Sequence, residues 1–178
     1  MNVRWVAFPL HPQTPAEGLT LEALFDIPTA AVDRLCARLS RTAAELGLAF
    51  GDRRKTFNSR LAQELGKWAE DRGRGDAFHR AAFGAYFARG LNLARLPVLL
   101  DLAASVQLPR DEARRVIEQR RYRAAVDRDW QKAAEKRVTA VPTFIYADRR
   151  LVGAQSYPAL KQLVTGEPPA ETSAQGLF

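Results

Sequence analysis

Side chains that carry redox and metal chemistry are scarce in this 178-residue sequence, which has one cysteine and two histidines. The single cysteine, Cys36, excludes an intrachain disulfide. One thiol also cannot perform the two-cysteine exchange that releases a mixed disulfide internally. His11 and His79 lie far apart and outside any metal-ligand spacing, so we interpret both as structural or solvated residues and predict no metal site.

Long apolar segments are also missing. No apolar run approaches the roughly 18 residues of a membrane-spanning helix. The N-terminus lacks the basic stretch and the apolar stretch of a secretory signal. We therefore expect no membrane partner and a cytoplasmic location.

Lysine is rare as well, since only 5 of the 27 basic side chains are lysine and the other 22 are arginine. A net charge of +7 makes nucleic-acid binding a function to consider. The arginines are scattered along the chain, however, and most lie opposite the apolar stripe of a predicted helix. We interpret them as solvated helix faces and predict no nucleic-acid partner.

The sequence does contain enough apolar side chains for a core. Hydrophobic residues make up 47% of the chain, and a chain of this length buries on the order of 70% of its unfolded surface. The length fits one domain, or one domain with an insertion. Neither a metal nor a disulfide is needed to stabilise such a core.

Hydrophobic periodicity predicts one strand and then a run of helices. Residues 3–8, VRWVAF, are aromatic and β-branched and stop at Pro9, which is typical of a strand. From Thr29 the apolar residues recur at i, i+3, i+4 and i+7, which predicts a helix that ends at Gly47. Five more helical segments follow: one capped by Asn58 and ended by Gly73, then DAFHRAAFGAYFARG, LPVLLDLAASVQL, PRDEARRVIEQ and YRAAVDRDWQKAAEKR.

The period then changes from helical to that of strands. The pattern predicts a hairpin with strands at 142–146 and 150–152, a tight turn at Asp148 and Arg149, and a last helix at 157–164. A hairpin followed by a helix is the second half of a thioredoxin fold, here preceded by a run of helices. The predicted domains are 1–12 with 138–164 as the thioredoxin-like sheet and last helix, 20–137 as the helical insertion and connecting helix, and 165–178 as a flexible tail.

Four segments resemble the DsbA-type thioredoxin-like family, and in particular its FrnE-like and 2-hydroxychromene-2-carboxylate isomerase-like branch. They are WVAFPLHPQTPAEG, FNSRLAQELGKWAEDRG, AAFGAYFARGLNL and VPTFIYADRRLVGAQ, and they occur in the family's order. The resemblance implies an α/β, thioredoxin-like fold that is incomplete at the N-terminus and carries a large all-helical insertion.

The resemblance also implies a substrate groove. In this fold the proline that starts the strand after the helices is cis, and the N–H and C=O of the residue before it face outward, where an extended peptide or glutathione can pair with them. The residues implied at the groove are Val141, Pro142, Thr143, Phe8, Asn58 and Tyr86. The residues alone leave alternatives open: a trans Pro142 that merely starts an edge strand, a capping role for Asn58 and a core role for Tyr86.

The main departure from the family lies at the start of the chain. The family begins with a strand and then a Cys-x-x-Cys, or a Ser-containing counterpart, at a helix N-terminus, and nothing equivalent lies upstream of Val3. Cys36 lies on an apolar stripe with Val32 and Leu39, where we interpret it as a small buried hydrophobe. We therefore predict no catalytic residue in this chain.

The missing first strand leaves three hypotheses. The native protein starts upstream of this chain, or a second chain or a homodimer completes the sheet, or residues 3–8 pair directly with the hairpin. Each of these would cover sheet edges that otherwise aggregate or recruit strands.

For function, the resemblance implies a thiol–disulfide oxidoreductase whose turnover is impaired in this chain because the Cys-x-x-Cys is absent. One alternative is a glutathione-dependent isomerase, with glutathione as ligand or co-substrate. The other is a non-catalytic module that binds a peptide or a small thiol. No other cofactor is expected.

Overall fold

The computed structural model describes residues 3–166, and the chain divides into two compact units, Met1–Trp130 and Gln131–Phe178. Most of the predicted flexible tail, 167–178, lies outside the described residues. No helix within the described range is long and apolar enough to cross a membrane.

The helices are α1 (Leu21–Phe25), α2 (Thr29–Glu45), α3 (Arg60–Asp71), α4 (Gly75–Phe83) with a π-helical turn (Gly84–Ala88), α5 (Leu96–Ser105), α6 (Arg110–Glu118), α7 (Arg123–Glu135) and α8 (Tyr157–Thr165). The strands are β1 (Leu19–Thr20), β2 (Lys55–Thr56), β3 (Thr143–Tyr146) and β4 (Arg149–Val152).

Helices α3, α4, α5 and α6 form the core of the first unit. Each turns apolar side chains at helical spacing toward the others, and the predicted helices that supply them are confirmed. Burial of one large apolar side chain contributes about 1.5–3 kcal/mol, so these contacts dominate the stability of the unit. The largest fully buried apolar side chains in the cluster are Leu65, Trp68, Phe78, Leu99 and Leu100.

Glycines end two of the helices, as the sequence predicts. Gly47 follows α2 and Gly73 follows α3, with φ of 68° and 67°. This left-handed conformation turns the chain so that the next N–H reaches back to a helix carbonyl. The Arg74 N–H, for example, donates to the Ala69 carbonyl at 2.8 Å.

A buried ion cluster joins α3 to the segment after α6. The Glu64 carboxylate, which is 1% exposed, accepts hydrogen bonds from Arg60 Nε at 2.7 Å and from Arg120 Nε at 2.8 Å. Burial raises the pKa of Glu64, but the hydrogen bonds from Arg120 and Arg60 outweigh it, so the pKa is lowered overall. The carboxylate is therefore ionised and fully used in holding the fold.

The predicted strand at residues 3–8 is wrong, because this segment pairs with side chains instead of with a strand. The Ala7 N–H donates to the buried Asp129 carboxylate at 2.9 Å. Lys67 Nζ donates to the Trp5 carbonyl at 2.8 Å. These partners lie on α7 and α3, so the segment is attached to the helices of its own unit.

The strands of the first unit lie where the sequence predicts none. β1 pairs with β2 in antiparallel fashion, with Leu19 opposite Thr56 and Thr20 opposite Lys55. Each strand has two residues, too few to show a period of two in the sequence. The Thr20 hydroxyl also accepts the Ala23 N–H at 3.2 Å, which starts α1.

Helix α2 buries much less than its periodicity predicts. Val32 is fully buried, whereas Leu39 is 36% exposed and Leu46 is 68% exposed. Within the described part of the first unit, α1 is the one helix or strand that packs against α2. The amphipathic pattern is confirmed as a helix, but the predicted burial of its whole stripe is wrong because little protein covers its C-terminal half.

The second unit contains the predicted hairpin. β3 and β4 pair in antiparallel register from Thr143 opposite Val152 to Tyr146 opposite Arg149. The turn is therefore one residue earlier than predicted, since Arg149 already belongs to β4. Helix α8 packs against both strands, and its buried residue Leu163 faces them.

Candidate functional site

The loop that leads into β3 is held by hydrogen bonds of its own unit. The Val141–Pro142 peptide bond is cis. The Thr143 hydroxyl donates to the Ala140 carbonyl at 2.6 Å, and the Gly153 N–H donates to the Pro142 carbonyl at 2.8 Å. The main chain is thus fixed on both sides of Val141.

Val141 itself has an unpaired main chain. Its N–H and C=O form no hydrogen bond with any residue that the structure describes. The residue is 44% exposed and lies two positions before the first residue of β3. A donor and an acceptor on one residue at the end of a strand are the groups that an added strand needs.

Arg149 stabilises the hairpin through contacts that the local sequence does not reveal. Its guanidinium donates to the carbonyls of Gln162 at 3.3 Å and Val164 at 3.2 Å, and it lies 5.4 Å from the Tyr146 ring centroid. A cation at these last carbonyls also complements the negative end of the α8 dipole. A basic residue near the hairpin turn was the available signal, but its partner lies 13 residues further on.

Asn58 has both ends of its amide occupied within the first unit. The side-chain oxygen accepts the N–H of Arg60, the first residue of α3, at 2.9 Å, although Ser59 occupies the N-cap position. The side-chain nitrogen donates to the Thr14 carbonyl at 2.8 Å, which attaches the preceding loop. The predicted cap is therefore displaced by one residue, since Ser59 is the N-cap and Asn58 binds the first N–H of the helix from the position before it.

Tyr86 lies in the π-helical turn beside a basic segment. Arg53 Nε donates to the Tyr86 hydroxyl at 2.8 Å, and the hydroxyl lies 3.2 Å from the Thr56 hydroxyl. The guanidinium also lies over the Tyr86 and Phe87 rings, at 4.9 Å and 5.6 Å from their centroids. Tyr86 is half-buried, and this cluster joins the π-helical turn to β2.

Phe8 and Cys36 are both half-buried, so neither belongs to a closed core. The Phe8 carbonyl accepts a hydrogen bond from the Gln63 amide at 3.3 Å. The Cys36 thiol donates to the Arg53 carbonyl at 3.6 Å. The interpretation of Cys36 as a buried hydrophobe is wrong in degree, because α2 is only partly covered.

A polar cleft of about 440 Å³ lies in the first unit, and each of its acidic side chains has a partner. Lys67 Nζ lies 2.8 Å from Asp129 and 2.9 Å from Glu70. The Tyr122 hydroxyl donates to Asp71 at 2.7 Å, and burial and this carboxylate raise the pKa of Tyr122 to about 12. Among residues 3–166, no group of three or more metal-ligating side chains is present.

Residues 1–165 match the family model of the DSBA-like thioredoxin domain. The chain belongs to this family. The predicted kinship with DsbA-type proteins and the predicted α/β thioredoxin-like fold are therefore confirmed. The FrnE-like branch and the missing first strand stay predictions.

Two solved structures that are similar to this DSBA-like thioredoxin domain are bacterial proteins. A "probable DsbA oxidoreductase" from Streptomyces coelicolor has a TM-score of 0.83 at 25% sequence identity, over 90% of this chain and 73% of that chain. A "putative protein disulfide isomerase" from Nitrosomonas europaea has a TM-score of 0.63 at 15% identity, over 77% of this chain and 73% of that chain, and supports the fold alone. No curated protein matches the chain.

The predicted site residues of this DSBA-like thioredoxin domain fall into two sets. Val141, Pro142 and Thr143 lie together in the second unit. Phe8, Asn58 and Tyr86 lie in the first unit, where each has its own hydrogen-bond partner. A single groove that combines the two sets stays a prediction, as does the predicted domain assignment.

Proposed function

We propose that this DSBA-like thioredoxin domain binds an extended peptide, or a small thiol such as glutathione, as an added strand at Val141. The observation that supports this proposal is the unpaired N–H and C=O of Val141, on a residue that is 44% exposed. The hydrogen bonds of Thr143 and Gly153 hold the loop in place, so ligand binding costs little conformational entropy of the loop.

We also propose that the family role of this chain is in thiol–disulfide exchange, and that the 178-residue chain alone catalyses this exchange only weakly. Cys36 is its single thiol, and that thiol is half-buried and donates to a carbonyl. An insulin-reduction assay should therefore show a rate no higher than that of the Cys36→Ala variant. Ordinary oxidoreductase turnover from this chain would overturn the proposal.

Binding should be measured with an extended peptide and, separately, with glutathione, because the isomerase alternative requires glutathione. Binding of a peptide but not of glutathione would favour a peptide module. Binding of glutathione alone would favour the small-thiol function. The cytoplasmic location, and a second chain that completes the sheet, stay predictions beside this proposal.

The binding proposal is tested with a short extended peptide and its N-methylated variants. In an extended peptide alternate N–H groups point to opposite edges, so methylation at alternate positions blocks one edge at a time. We expect binding to be lost when one set is methylated and retained when the other set is, with the Val141 amide resonance shifted on saturation. Equal binding by both methylated sets, or no shift at Val141, would contradict the proposal.

A further inference from the structure

Helix α2 carries an apolar seam whose C-terminal half its own unit leaves open. Leu39 is 36% exposed and Leu46 is 68% exposed, while Leu35 is half-buried. The helix has 17 residues, yet Val32 is the one buried among them. Exposed leucines in a row on one helix face are typical of an interaction surface.

The open seam has the spacing of a coiled coil. Leu35, Leu39, Thr42 and Leu46 follow one another at intervals of four, three and four residues, which are the a and d positions of a heptad. Such a stripe faces a neighbouring helix along its whole length.

The seam begins at Val32, one heptad before Leu39, and this first residue is buried against the unit. The other contacts of α2 with its own unit lie beside the seam. The Cys36 thiol donates to the Arg53 carbonyl, and Asp33 pairs with Arg54. At 100° per residue, Asp33 and Cys36 lie on one side of Val32, whereas Leu35 and Leu46 lie on the other. A second helix can therefore approach the seam C-terminal to Val32 without displacing the contacts of Asp33 and Cys36.

The charges beside the seam select the partner. Arg38 and Glu45 occupy the two g positions of the heptad, and neither forms an ion pair with any described residue. In an antiparallel pair of identical helices, g positions face g positions, so Arg38 meets Glu45 of the second copy and Glu45 meets its Arg38. A parallel pair would place Arg38 beside Ala43, with no charge to meet it.

We propose that two copies of this chain associate by antiparallel packing of α2 against α2 across a two-fold axis. Leu35 packs against Leu46 of the second copy, and Leu39 packs against its Thr42, so each contact occurs twice. The helix pair has only four such side-chain contacts, so its interface is smaller than the roughly 1,200 Å² that stable complexes bury. The dimer is therefore weak, and its population depends on protein concentration.

The first test measures the dimer dissociation constant of the full chain by sedimentation velocity. We expect Leu46→Asp to raise this constant at least about tenfold, because each dimer loses two leucine contacts at the ends of the interface and places two carboxylates against leucine. Leu10→Asp is the matched control, since Leu10 is 49% exposed and lies outside α2. A wild-type chain that stays monomeric at all concentrations, or a dimer that Leu46→Asp leaves intact, would overturn the proposal.

The second test exchanges the charges. Arg38→Glu and Glu45→Arg should each raise the dissociation constant about three- to tenfold, because each turns two attractive pairs into two repulsive ones. The double variant should restore the wild-type constant, which a folding defect could not do. Failure of the double variant to restore it, in a chain with an unchanged circular dichroism spectrum, would exclude the antiparallel register.

Discussion

Helices α2 and α3 belong to the same unit and have the same amphipathic pattern, yet they differ in how much of that pattern is buried. The 12-residue helix α3 buries six residues, among them Leu65 and Trp68. The 17-residue helix α2 buries Val32 alone. Helix α3 packs against α4, α5 and α6, whereas α1 is the element in contact with α2 in the described part of the unit.

The difference shows that apolar periodicity specifies which face of a helix is apolar but does not specify what packs against that face. The polar residues of the two helices differ in the same way. Glu64 on α3 lies buried between two arginines. Arg38 and Glu45 on α2 have no ion-pair partner in the described chain.

The largest effect is expected from the core of α3. Trp68→Ala should lower the free energy of unfolding by about 3–5 kcal/mol, because the side chain is 1% exposed and its removal leaves a cavity. Leu46→Ala, at the C-cap of α2, should change it by less than about 0.5 kcal/mol at low protein concentration. Urea denaturation of both variants measures the contrast, and equal losses would refute it.

Removal of the buried carboxylate should have the next largest effect. Glu64→Gln should lower the free energy of unfolding by about 3 kcal/mol, because Arg120 loses its carboxylate partner and Arg60 keeps only Asp127. Glu45→Gln on α2 is the matched control and should be nearly neutral in dilute protein. A neutral Glu64→Gln variant would show that the ion cluster contributes no net stability.

A smaller contrast is expected within α2 itself. Val32→Ala should lower the free energy of unfolding by about 1–2 kcal/mol, since Val32 is fully buried against the unit. Leu39→Ala should be nearly neutral in dilute protein although it removes a larger side chain. The reverse order would mean that the C-terminal half of α2 is covered in solution.

The smallest predicted effect concerns pH. Burial raises the pKa of Glu70, but hydrogen bonds from His79 and Lys67 lower it overall, as those from the two arginines do for Glu64. A lowered native pKa adds stability above the unfolded glutamate pKa of about 4.3, and this stability is lost as pH falls through the native value. When the melting temperature is measured from pH 7 to pH 3, it should therefore decrease once the pH is below about 4.3. The decrease should be less steep for the Glu64→Gln variant than for the wild-type chain. An unchanged slope in that variant would contradict the assignment.

Much of the fold could be predicted from local sequence. The helices follow from apolar spacing, and Gly47 and Gly73 mark two of their ends because few other residues adopt positive φ. The segment at 3–8 was wrongly predicted as a strand, since the side chains of Lys67 and Asp129 that pair with its backbone lie far away in sequence. Periodicity also could not show that little protein covers the C-terminal half of α2.

The candidate site was less predictable than the fold. The segment around Val141 was found through the family resemblance and its proline, both of which are local signals. The contacts of Asn58 with Thr14, and of Tyr86 with Arg53, join positions 44 and 33 residues apart. Such long-range pairs leave no periodic signal, so a capping or packing role could not be told from a groove role.

The most direct test of the proposed function is amide hydrogen exchange at Val141, with and without a saturating extended peptide. The Gly153 amide, which already donates to the Pro142 carbonyl, is the internal control. We predict that the Val141 amide exchanges rapidly in the free chain and becomes strongly protected with peptide, while the Gly153 amide is protected in both states. A Val141 amide that is already protected without peptide, or that stays unprotected when the peptide is bound, would contradict the proposed strand-binding site.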